Sequence, residues 1–168
     1  MLRPASLALA TICVGMSSFA VAQSPAPASP AASPAAPALV PFEMRLGDLM
    51  NTLVQPRHAK LTLAGLEANW PLATYVLKEL RQSLDGIAKA VPRWNRLPMG
   101  DMMRSLTTKP LADVEEAIRA RDKAMFATAM TSVTRACNSC HTASDHTFII
   151  ITTPDQSAFP NQNFRPNR

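Results

Sequence analysis

The chain has 168 residues, with 17 Lys and Arg against 12 Asp and Glu for a formal net charge of +5. Its bases are spread along the sequence rather than clustered, which argues against a nucleic-acid partner. A mild excess of this kind steers encounters with acidic proteins instead.

The first 22 residues read as an export leader. Arg3 supplies the positive end, Ala5 to Ala20 is mostly apolar, and Ala20-Val21-Ala22 is a small-x-small cleavage site. Cutting after Ala22 removes Cys13 and leaves no membrane span, so the mature chain is expected in the periplasm. A lipoprotein signal at Cys13 is disfavoured by Ile12, and an uncleaved anchor by the shortness of the apolar run. Residues 23–41 form a Pro/Ala-rich linker without charge, too poor in large apolar side chains to fold and inclined to polyproline II.

From 42 to 142 the apolar residues recur at helical spacing, and four helices are expected. Leu46, Leu49, Met50, Leu53, Leu61 and Ala64 form the first stripe, with Pro56 expected to kink or divide it and Gly65 to cap it. Asn69 caps a second helix with Trp70 and Pro71 in its first turn, its stripe being Leu72, Tyr75, Val76, Leu80, Leu84 and Ile87. A third region is expected in two pieces, Met99 to Leu106 and then Leu111 to Ala120 opened by Pro110. Asp122 to His141 is the fourth, with Phe126, Ala129, Met130, Val133, Ala136 and Cys140 inward. Short connections favour an antiparallel four-helix bundle. Residues 143–168 form an extended tail, in which Phe148-Ile149-Ile150-Ile151, Phe159 and Phe164 are expected to lie over the bundle or the edge of its site.

The chemistry concentrates in Cys137-Asn138-Ser139-Cys140-His141, a C-x-x-C-H run. Two thiols at this spacing on a helical path add to the two vinyl groups of one haem c, and the adjoining imidazole reaches the iron as the proximal axial ligand. Loss of Cys13 leaves the mature chain with this pair alone. A thioredoxin-like pair lacks its strand–helix setting. Zinc would need Cys137, Cys140, His146 and His58 together with His141 idle. A disulfide across so small a loop stabilises little.

A motif placed this late, at the end of the last of four helices, resembles the class II c-type cytochromes, the cytochrome c-prime group and its low-spin relatives. The likeness is strongest from Ala112-Asp113-Val114-Glu115-Glu116-Ala117-Ile118 through Asp122, Phe126 and Ala136 to His141. Arg57-His58-Ala59-Lys60-Leu61 and Asn69-Trp70-Pro71-Leu72-Ala73 are similar to a group of single-haem cytochromes. The resemblance implies a periplasmic haem c bundle with His141 proximal, a distal residue from the first helix, and dimers formed through the first two helices.

The sixth iron ligand must lie upstream, because no methionine follows His141 and His146 is too close behind it. In an antiparallel bundle the end of the fourth helix lies beside the start of the first. Met50 is therefore the first distal candidate. His58 is the second, eight residues and about 12 Å further along the helix. Met44, Met99, Met102 and Met103 are lesser candidates, and core packing explains the methionine cluster better than copper does. Arg45 and Arg135 are candidates for pairing a haem propionate. A closed sixth position implies single-electron transfer between redox partner proteins. An open one implies binding of nitric oxide or carbon monoxide. Peroxidase activity would need an Arg–His arrangement that the sequence lacks, so the chain reads as a carrier rather than an enzyme.

Overall fold

Helix-forming residues dominate after Arg45, and the computed structural model, which describes residues 43–154 and 156–166, is all-helical with no named strand among them. The leader, Cys13, the Ala22 cleavage site and the linker 23–41 lie outside the described residues.

The first rod is built from α1 (Leu46–Leu49), a π-helical segment (Met50–Val54) and α2 (Gln55–Leu66). Pro56 neither divides the rod nor ends it. It falls in the first turn of α2, where its missing N–H is tolerated. The preceding turn widens, with Gln55 N–H donating to the Met50 carbonyl five residues back. Arg57 Nη1 donates to the Leu53 carbonyl at 2.8 Å, satisfying an acceptor in this disturbed stretch.

Three further helices follow: α3 (Trp70–Ala90), α4 (Met99–Ala120) and α5 (Lys123–Ala143). Asn69 caps α3 by accepting from Leu72 N–H at 3.3 Å, as its sequence suggests. Asp122 does the same for α5 through Met125 N–H at 2.9 Å. The expected break in the third region is absent, because α4 runs continuously with Pro110 inside it. Its two ends bury Met99 and Met103 on one side of Pro110 and Leu111, Val114, Ala117 and Ile118 on the other. This continuous apolar face outweighs the lost backbone bond.

Packing contacts join α2 to α3, α3 to α4, α4 to α5 and α5 back to α2, closing a ring of four rods. Leu61, Ala64, Ala73, Val114, Ala117 and Phe126 are completely buried at its centre. Gly65 is not the helix cap. It sits inside α2, where an added Cβ would overlap the Phe126 ring. The helix ends at the C-cap Glu67, and Ala68 just beyond it is left-handed at φ 57°. Its N–H donates to Gly65 and that of Asn69 donates to Ala64. Tyr75 leaves the predicted stripe and is exposed, while Ala73 and Leu77 are buried in its place.

The tail leaves α5 and returns to the α2–α3 junction. There Phe164 is buried, Asn69 Nδ2 donates to the Phe164 carbonyl at 3.1 Å, and Lys60 Nζ lies 4.8 Å from the centre of the Phe159 ring. Phe148 and Ile150 instead face solvent, at 77% and 72% exposure, so only part of the expected apolar run covers the bundle. Among the described residues no helix is long and apolar enough to cross a membrane.

Candidate functional site

Helical geometry places Cys137, Cys140 and His141 on the last turns of α5, at spacings of three and four residues that share one face. That face opens on a cavity of about 420 Å³, within the roughly 300–1,000 Å³ range of cofactor pockets. The opposite wall comes from the first rod, which contributes Met50, Val54 and His58. Leu84 of α3, Met99, Met103 and Leu106 of α4, and Trp94 of the α3–α4 connection complete a largely apolar enclosure.

Both distal candidates therefore meet all three motif residues in one cavity, and the π-helical turn explains how. Eight residues of straight α-helix advance two turns plus about 80°, which would turn Met50 and His58 to different faces. The widened turn absorbs about one residue. The remaining seven bring the two side chains to within roughly 20° of one another.

The two candidates differ in their surroundings. His58 is 4% exposed, and its Nε2 lies 2.9 Å from Thr134 Oγ1 of α5. Burial holds its imidazole below the ordinary histidine value, so it is neutral at neutral pH. Met50 is half-buried against the core and presents a thioether to the cavity.

Burial also sets the state of the thiols. Cys137 is pushed up to about 11, first by desolvation and then by the neighbouring Cys140. Desolvation raises Cys140 as well. Both are free thiols. Cys140 Sγ lies 4.0 Å from Met99 Sδ.

His141 is oriented by the tail. Its Nδ1 lies 2.9 Å from the Ile149 carbonyl. Only an N–H can donate to that oxygen, so Nδ1 carries a proton, and in the neutral ring Nε2 is the nitrogen with the lone pair. The arrangement is that of an imidazole prepared to bind a metal through Nε2. The donor chemistry and the apolar enclosure fit haem c, which Cys137 and Cys140 would hold covalently and which His141, with Met50 or His58, would ligate.

Several expectations resolve at this cavity. Arg45 is exposed and lines the cavity together with Asp48, whereas Arg135, also exposed, is not among the lining residues. Met99 and Met103 are core residues that also face the cavity. Met102 is half-buried against the core. His146 stays on the His141 side, its ring 5.0 Å from Trp94 and 5.5 Å from Phe148. The zinc arrangement of Cys137, Cys140, His146 and His58 does not form, since among the described residues no three His, Cys, Asp or Glu side chains gather as a metal site. Sequence reasoning missed Trp94, Thr134 and the Ile149 carbonyl. Each acts by spatial approach across separate elements, with no local spacing to mark it.

No protein-family model matches this chain, and no curated protein or solved structure matches it.

Proposed function

We propose that this chain is an exported single-haem c-type cytochrome. In this reading the antiparallel bundle carries single electrons between periplasmic redox proteins, with Met50 as the distal ligand opposite His141. One observation carries the proposal: a single apolar cavity gathers Cys137, Cys140 and His141 from α5 with Met50 and His58 from the first rod.

When attached, the haem would supply a one-electron iron couple. The chain's own residues account for the rest. Cys137 and Cys140 fix one edge of the group, and His141 offers Nε2 because its Nδ1 proton is committed to Ile149. Met50 favours the ferrous state more than a second imidazole would, being the softer donor. His58 packs the same wall, held away from ligation by Thr134. Arg45, which lines the cavity, would be placed to pair with a propionate. Leu84, Met99, Met103 and Trp94 exclude water, which keeps reorganisation small. The net positive charge favours acidic partners.

A second reading, reversible binding of nitric oxide or carbon monoxide, is favoured by the commitment of His58 to Thr134. Without Met50 coordination, and with His58 paired to Thr134, an apolar space for a diatomic molecule remains.

The ferric absorption spectrum separates the two. With Met50 bound, the protein is low-spin and has the weak sulfur-to-iron charge-transfer band, which Met50→Ala abolishes and His58→Ala retains. A high-spin, five-coordinate spectrum in the unaltered protein supports gas binding instead. Persistence of the sulfur band in both variants contradicts the Met50 assignment.

A further inference from the structure

Asn138, the first of the two residues between the cysteines, makes a reciprocal pair with a distant stretch of backbone. Its Nδ2 donates to the Ile151 carbonyl at 2.9 Å, and its Oδ1 accepts from Ile151 N–H at 2.8 Å. A carboxamide pairing with both the N–H and the carbonyl of one residue fixes that residue's backbone in position and direction. Ile151 is two residues beyond Ile149, whose carbonyl meets His141 Nδ1.

The chain between these points is tightly turned. Asp145 is left-handed at φ 62°. Its N–H donates to the Thr142 carbonyl at 3.3 Å, and His146 N–H donates to the His141 carbonyl at 2.8 Å. These two bonds reverse the chain at the end of α5. A further bond, Ile149 N–H to the His146 carbonyl at 2.9 Å, brings the chain back toward the helix. Without an anchor beyond it, this turn would leave the Ile149 carbonyl free to swing. Asn138 supplies the anchor, one helical turn before His141 on the same helix.

We propose that Asn138 is a positioning residue for His141: by clamping Ile151 it holds the Ile149 carbonyl against Nδ1, fixing the tautomer and the ring orientation. The inference rests on the haem c reading for its functional consequence. An imidazole whose Nδ1 proton is drawn toward a carbonyl is the stronger donor at Nε2 and stabilises the ferric state. Loosening the clamp therefore raises the reduction potential.

The test uses the full chain exported from a host that attaches haem, as wild type, Asn138→Ala and Asn138→Asp. Mass spectrometry reports attachment, hydrogen exchange reports the Ile151 amide, and titration with redox mediators reports the potential. In Asn138→Ala the haem is retained, the Ile151 amide exchanges at least about tenfold faster as its acceptor is lost, and the potential rises. Asn138→Asp keeps the acceptor but loses the donor, and falls between the other two. A wild-type Ile151 amide without protection overturns the clamp. So does a fast-exchanging Asn138→Ala protein with an unchanged potential. If the wild type carries no haem, the functional reading fails and the His141 Nδ1 proton tests the clamp alone. Its slow exchange in the wild type, lost in Asn138→Ala, supports the clamp; equal exchange in both overturns it.

Discussion

His58 and Thr134 face each other across α2 and α5 at 2.9 Å, and the imidazole has little access to solvent. Thr134→Val removes the hydroxyl but preserves shape, leaving the imidazole without its partner, and is expected to cost about 1–3 kcal/mol in chemical denaturation of the haem-free chain. Acid acts on the same residue. Its folded value lies below the ordinary 6.5, so the unfolded chain takes up the proton first as pH falls. The stability associated with neutral His58 is complete above the ordinary 6.5 and declines below it, until the folded state is protonated too. Denaturation at about pH 7 and about pH 5 should show this loss, and His58→Leu should flatten it. The thiols follow the opposite direction of shift. Because Cys137 is raised to about 11, it is overwhelmingly protonated near neutrality. It should alkylate more slowly than an unstructured cysteine in the haem-free folded chain. Equal rates would contradict its burial.

Among the elements, the cap on α3 was legible because capping is local: Asn69 meets an N–H three residues on, and Asp122 proves to cap α5 in the same way. The first rod was less legible. Its π-helical turn depends on how Pro56, Arg57 and the cavity wall accommodate one another, and no periodicity in the sequence encodes that. Gly65 was misleading for a related reason. Glycine marks helix ends and close contacts alike, and only the position of Phe126 from α5 distinguishes them. Gly65→Ala should therefore destabilise the protein by about 1–3 kcal/mol through overpacking against a completely buried ring. Ala68→Gly should stabilise it by about 0.5–1 kcal/mol, since Ala68 holds a left-handed conformation that glycine adopts without steric cost. Thermal melts of the two variants should shift in opposite directions. The continuity of α4 through Pro110 was illegible because tertiary burial on both sides of the proline outweighs its local effect.

At the scale of the whole molecule, the all-helical class followed from apolar spacing, and the meeting of α5 with the first rod followed from the expected packing of four rods. The tail followed only in part. Its aromatic residues suggested coverage, and Phe164 is buried. Yet its strongest link to the site is through backbone carbonyls, which carry no residue-specific signature. Cavity, motif and tail converge on one claim, that the last turns of α5 carry a covalently attached porphyrin. The most direct measurement is the intact mass and absorption spectrum of the exported protein from a host with haem-attachment machinery, beside a Cys137→Ser/Cys140→Ser variant. The account predicts a mass larger than the polypeptide by one haem, with a Soret band that survives denaturation in the unaltered protein. Both should be absent from the double variant. A bare polypeptide mass with no Soret absorption in the unaltered protein would contradict it.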